Sequence, residues 1–357
     1  MVGIKLIDYY IGNTVISSIL LITLMLAGLQ IFVLFVLELG DLGQGSYGVT
    51  QALMYILSQL PHQIYLFFPV ACLLGSLMGL GVLAANSELI VIRTAGVSVG
   101  QVVVSVLKSS LILIIAVTAL TEWFSPGLLN NAEVRKVVAK SGGQAIKTAT
   151  GSWMRDQNNF IYVGQVQTDG LLLNVMQFTF NEQQQLVLSR YAEKAVLTDE
   201  QWTLYQVRQS VIHPDQIQAQ TLDQLTWEVR LNSQVLQVGL TEPEAMSIGQ
   251  LWHYVNEQKR NRLQVNDAEF VLYKRLFQPL ASCVMLLLAI PFIFGPLRSS
   301  TVGARFLTGC MMGFGFYMLD KFFGPVSLVY QVPPLLAALT PTLLFSVIGV
   351  WMMRRVR

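Results

Sequence analysis

The chain has 357 residues, of which 53% are hydrophobic and only 12% charged, and its mean hydropathy is +0.53. So apolar and charge-poor a composition excludes an ordinary soluble protein and makes membrane insertion the first reading. A net charge of +2, with no run of Lys or Arg longer than a pair, excludes a nucleic-acid partner held by electrostatics.

The first apolar stretch, 14–37, is longer than a signal-peptide core and is followed by no small-x-small cleavage pattern, so it is expected to stay as a membrane helix. A bilayer core of ~30 Å needs about 20 apolar residues in a helix, and further segments at 62–85, 99–124, 274–295, 303–321 and 333–353 meet or approach that length. Cys72, Cys283 and Cys310 lie inside these apolar segments, which leaves no disulfide framework for an exported domain.

Between the second and third segments stands NSELIVIRTAGVS, 86–98, which reads as a helix of two to three turns. Asn86 or Ser87 can cap it, Glu88 in its first turn suits the helix dipole, and Gly96 suits its end. Glu88 and Arg93 stand about 140° apart, too far round to pair with each other. Leu89, Ile92 and Gly96 form a small apolar stripe shaped to enter a groove on another protein, although an interfacial helix anchored by Arg93 fits the pattern too.

The polar stretch 127–266 holds most of the charged residues and is expected to form a separate all-β domain. NNFIYVGQV, LLLNVMQFTF, QLVLSRYAEKAVL and QWTLYQVRQSVI carry strand signals, with FNEQQQ and TDEQ as turns between them. The expectation is an antiparallel sandwich or open jelly roll, followed by a short helix near 248–260.

Cations near short loops set orientation. Lys5, Arg93, Arg298, Arg305, Arg354, Arg355 and Arg357 mark one set of helix ends, whereas the opposite short loops carry none between 38 and 60 and only Lys321 near 324. Both termini are therefore expected in the cytoplasm and the large domain across the membrane, with Lys274 and Arg275 breaking the pattern. Phosphate-loop chemistry is excluded, because no G-x-x-x-x-G-K-[ST] motif occurs. His62, His213 and His253 have no Cys or His at ligand spacing, so no metal site is expected. Asp41 and Asp320 are the nearest thing to a protease pair, but both fall at helix ends where solvated carboxylates are ordinary.

The stretches LIDYYIG (6–12), GQGSY (43–47), FFPVACLLGSLMGLGVLA (67–84), SELIVIRTAGVS (87–98), RLFQPLA (275–281), FIFGPLR (292–298) and FYMLDKFFGP (316–325) run in order across all six segments. Together they resemble the lipopolysaccharide-export permease family, LptF/LptG, and the GQGSY and FGPLR forms are closer to its LptG branch. The resemblance implies an α-helical membrane protein with six transmembrane helices plus a jelly-roll-like periplasmic domain, divided at 1–126, 127–266 and 267–357. It implies a non-catalytic half of an ABC exporter, paired with an LptF-like permease on a dimeric LptB-like cytoplasmic ATPase, with a single-helix LptC-like protein beside them. ATP and Mg would be bound by that ATPase, and no cofactor by this chain. Lipopolysaccharide would be the cargo, taken from the inner membrane toward a periplasmic bridge.

In that light 86–98 is the expected coupling helix, with Ser87, Glu88, Leu89, Ile92, Arg93 and Gly96 as its contacts. The first and fifth membrane segments are the family's gate helices, which puts Ile31, Phe35, Gly309, Gly313 and Phe316 at the gate. Cations for the lipid phosphates are sought at His62, Arg135, Lys136, Lys274, Arg275 and Lys321, with Arg275 preferred and a structural pair with Glu122 as its alternative. The chain departs from members that carry lysines at the outer end of the first helix, because it has Glu38 and Asp41 there and no Lys or Arg between Lys5 and Arg93. Rival readings are a membrane-anchored envelope scaffold and an intramembrane enzyme.

Overall fold

A computed structural model describes residues 2–140, 152–156, 158–166, 171–181, 183–198, 201–213, 216–227, 243–260, 265–294 and 302–355. The first half of the membrane part consists of α1 (Val2–Glu38), α2 (Val49–Ala85), the short α3 (Glu88–Thr94) and α4 (Val99–Lys140). Strands β1 (Ser152–Asp156), β2 (Asn159–Val166), β3 (Leu172–Phe180), β4 (Leu186–Thr198), β5 (Gln201–Ile212) and β6 (Ile217–Trp227) follow. The chain returns through α5 (Ile248–Arg260) to α6 (Asn266–Phe294), α7 (Val302–Val329) and α8 (Pro334–Arg354). The helices therefore share a terminal side, which carries both chain ends and α3, and a domain side next to the β-sheet.

Five of these helices, α1, α2, α4, α6 and α8, are long and apolar enough to cross a membrane. The expected fifth span, α7, is long enough at 28 residues, but glycines and the charges of Arg305, Asp320 and Lys321 dilute its apolar run. The helices also outrun their expected limits: α2 starts at Val49 rather than near 62, and α4 continues past 126 to Lys140. His62 therefore lies within α2, not at its start.

The centre of the bundle is built on α2 and α6, whose most apolar stretches are 72% and 61% buried, against 17% for α1. Val15 and Ile19 of α1, Cys72 and Leu73 of α2, Val102 and Val106 of α4, and Met285, Leu288 and Ile290 of α6 share one core. Gly75 and Gly79, a small-x-x-x-small pair, let α1 come close, because a Cβ at Gly75 would run into the backbone of Ile19.

The two inner helices each contain two prolines, and one from each, Pro69 of α2 and Pro279 of α6, is answered by the other's neighbours. Proline lacks the N–H that would bond the carbonyl four residues back, so Pro69 leaves the Tyr65 carbonyl without its helical donor and Pro279 does the same to Arg275. Gln278 Nε2 donates to the Tyr65 carbonyl at 2.9 Å, and the Tyr65 hydroxyl donates to the Arg275 carbonyl, also at 2.9 Å. Both freed acceptors are thereby satisfied in a place without water, which lets the helices run on through their prolines.

The six described strands form one antiparallel sheet in sequential order. The all-β domain is there, and these strands make a simple meander without the crossings that a jelly roll adds; residues 228–242 lie outside the described residues. Ile161, Val163, Val175, Ala195, Leu204 and Val207, with Trp202 and Trp227, bury one face of it.

Candidate functional site

Four places on the membrane part carry the side chains singled out above. On the terminal side, α3 is two turns long. Ser87 precedes it in a left-handed conformation (φ 61°) and makes no side-chain capping bond, so the expected cap is absent. Gly96 takes φ 94° just after the helix, in keeping with its expected role. Glu88 is not a free charge, since it accepts hydrogen bonds from the Tyr10 hydroxyl at 2.8 Å and from Asn86 Nδ2 at 3.3 Å. The expected docking stripe also turns inward: Leu89 is buried in the chain's own core and Ile92 packs against it. A two-turn helix is too short to be stable alone and is held by that buried side, and its outward face is instead Ile90 and Val91. Arg93 is exposed, with its guanidinium carbon 5.9 Å from the centroid of the Phe294 ring.

On the domain side, the two acids at the end of α1 are neutralised from α4. Lys136 Nζ lies 2.8 Å from Glu38 and 3.0 Å from Asp41, and Lys140 lies 2.8 Å from Asp41. Tyr47 donates to Glu38 at 2.8 Å, and burial together with that carboxylate pushes its phenol upward from the usual value. Tyr55 donates to Glu133 at 3.0 Å while its ring lies 4.5 Å beneath Lys136 Nζ. Lys136 is therefore a structural partner. Its neighbour Arg135 is exposed and has no partner among the described residues.

Nearby, a cavity of about 330 Å³ lies between α2, α6 and α7 and reaches the segment just before α5. It brings together His62, Lys274, Arg275 and Lys321, four of the six headgroup candidates. Two of them are engaged. Lys274 is 2.6 Å from Asp320, and the buried Arg275 is 3.5 Å from Glu122 while donating to the Glu244 carbonyl at 2.6 Å. Glu122 also accepts from the Ile248 amide at the start of α5, so Arg275 and Glu122 tie α4, α6 and the segment leaving the β domain into one junction. The structural alternative for Arg275 is the one the geometry realises.

The gate glycines point into the chain. A Cβ on Gly309 would run into Leu77, and one on Gly313 would lie 2.8 Å from Val70, so both pack on α2. Phe316 is buried edge-on against Phe345, with centroids 5.3 Å apart. The open face of α7 is Leu307, Met311, Phe314 and Met318, and that of α1 includes Leu24, Leu29 and Phe32 beside the half-buried Ile31 and Phe35. Arg298 and Arg357, two of the expected terminal-side cations, lie outside the described residues.

The sequence profile described as "Lipopolysaccharide export system permease LptF/LptG" matches residues 9–355. The chain is 39% identical over 352 residues to the lipopolysaccharide export system permease protein LptG of Escherichia coli K12, covering 98% of each chain. It is 35% identical over 356 residues to the protein of the same name from Haemophilus influenzae, covering 99% of each. With six long helices flanking a β-sheet domain in chain order, and a match over residues 9–355, this chain belongs to the LptF/LptG family of lipopolysaccharide export permeases.

Proposed function

We propose that the chain is the LptG-type half of an exporter that draws lipopolysaccharide out of the inner membrane, driven by an ATPase carried on a separate subunit. It spans the membrane six times, with α7 as the sixth span packed on α2. Both termini are cytoplasmic and the β domain is periplasmic, in line with the cations on the terminal side. An LptF-like permease, a dimeric LptB-like ATPase that binds ATP and Mg, and an LptC-like single-helix protein complete the assembly. The paired permease meets the open faces of α1 and α7.

The observation that carries this reading is the mounting of α3. Leu89 and Ile92 fix it in the core shared by α2, α4 and α6, Glu88 ties it to α1, and Ile90 and Val91 are left bare on the terminal side. A subunit that pushes on Ile90 and Val91 moves the inner helices with them. Among the headgroup candidates, Arg135 and Lys321 are exposed and without a side-chain partner among the described residues, and Arg135, which lies outside the cavity between α2, α6 and α7, is the cation that meets lipid phosphate in this reading. The test is Val91→Asp in the assembled complex. Burying an uncompensated carboxylate costs several kcal/mol, so ATPase association or export falls by at least about tenfold. Normal assembly and export by Val91→Asp would remove α3 from the coupling role.

A further inference from the structure

The cavity between α2, α6 and α7 does not have the charge of a polyphosphate site. Its lining carries three cations, Lys274, Arg275 and Lys321, and three carboxylates, Glu244, Asp267 and Asp320. The Lys274–Asp320 pair cancels internally and Arg275 is claimed by Glu122 and the Glu244 carbonyl. What remains facing the space are one ammonium, Lys321, and two carboxylates, Asp267 and Glu244, none with a side-chain partner among the described residues. His62 Nδ1 is also buried without a hydrogen bond, and a buried polar atom of that kind asks for a ligand to complete it. The rest of the wall is apolar, with Leu66, Phe270 and Leu328 among its side chains. A polyanion placed here would meet two uncompensated carboxylates for each free ammonium, which is repulsive at these short distances.

We propose that this cavity holds the headgroup of a zwitterionic amine-phosphate phospholipid, with the phosphate toward Lys321, the ammonium toward Asp267 and Glu244, and the acyl chains along the apolar wall. A volume of about 330 Å³ accommodates a headgroup and its glycerol but not a multi-sugar lipid. Such a lipid would fill the gap where α7 leans on α6 and act as a fixed component of the bundle. It is distinct from the exported cargo, and the assignment rests on the cavity's charges, not on the export reading.

The complex is reconstituted in nanodiscs of equal phosphatidylethanolamine and phosphatidylglycerol, then stripped with detergent, and the lipid retained is identified by mass spectrometry. The parent chain retains phosphatidylethanolamine in preference. Asp267→Lys shifts the retained ratio toward phosphatidylglycerol by about tenfold, as expected when one charge-assisted bond is exchanged for its opposite. Lys321→Gln lowers retention of both. Asp267→Asn, a milder change at an exposed carboxylate, moves the ratio in the same direction and covers the case in which the lysine variant does not fold. A photoreactive residue at Leu328 captures phospholipid. Equal retention of both lipids by the parent, a ratio unmoved by either Asp267 variant, or capture of lipopolysaccharide at Leu328 would overturn the proposal.

Discussion

Tyr65 and Gln278 show how single side chains decide whether a membrane helix can carry a proline. Each supplies a hydrogen bond to a carbonyl that the other helix's proline has left open. In hydrocarbon such a carbonyl has no water to turn to. Replacing Gln278 with Leu or Tyr65 with Phe is expected to cost about 1–3 kcal/mol each, because a buried acceptor is left unsatisfied. Pro69→Ala restores the amide that bonds the Tyr65 carbonyl, so it should rescue Gln278→Leu but not Tyr65→Phe, and Pro279→Ala should do the reverse. Melting temperatures of the purified chain in detergent check this, and rescue by the wrong proline would show that the reciprocal bonding is not what matters. Lys136 offers a second residue-scale case. Lys136→Met leaves Glu38 without its ammonium while Asp41 keeps Lys140, so adding Glu38→Gln should recover most of the lost stability, with a coupling of about 0.5–3 kcal/mol in the cycle. A purely additive cycle would contradict the ion-pair role. Neither arrangement could be read along the sequence, since prolines and acids were visible but their partners lie on other helices.

At the scale of elements, α1 is held to α2 by contact rather than by charge. Gly75→Leu is expected to part the two helices and cost at least about 1–3 kcal/mol by overpacking, whereas Gly303→Ala, where a Cβ meets open space, should be neutral or slightly stabilising. Melting curves of the two variants decide it, and equal effects would mean that the close approach at Ile19 is not what Gly75 provides. The same distinction explains which elements the sequence made legible. The apolar runs gave the helices and the alternating strands gave an antiparallel domain. The short helix after Ala85 was visible from Glu88 and Gly96. Its outward face was not, because a pattern of Leu89, Ile92 and Gly96 says which residues align but not whether the chain's own core or a partner receives them. The start of α2 was hidden by Pro61, which reads as a boundary until the surrounding helices are known to hold it. Gly309 and Gly313 were expected at the gate, and the fold shows that α2 is their neighbour.

At the scale of the whole molecule, the bundle joins two distant working ends. The terminal side presents Ile90, Val91 and Arg93 on a helix rooted in the core, and the domain side gathers Glu122, Arg275 and the Glu244 carbonyl where the β domain enters the membrane part. The buried inner helices α2 and α6 connect the two. In the proposed reading, that arrangement suits a subunit that transmits a push on the terminal side to the domain side. The most direct measurement is ATP-driven release of lipopolysaccharide from vesicles containing the assembled complex, with ATP hydrolysis followed in parallel, for the parent and for Leu89→Ala, which leaves Ile90 and Val91 in place but loosens the root of α3. Leu89→Ala is expected still to bind the ATPase, while lipopolysaccharide released per ATP falls by about tenfold, the cavity left in the core costing roughly 2–5 kcal/mol of the connection. Release per ATP equal to that of the parent, in a variant shown to be assembled, would contradict the claim that α3 drives the inner helices through its buried side.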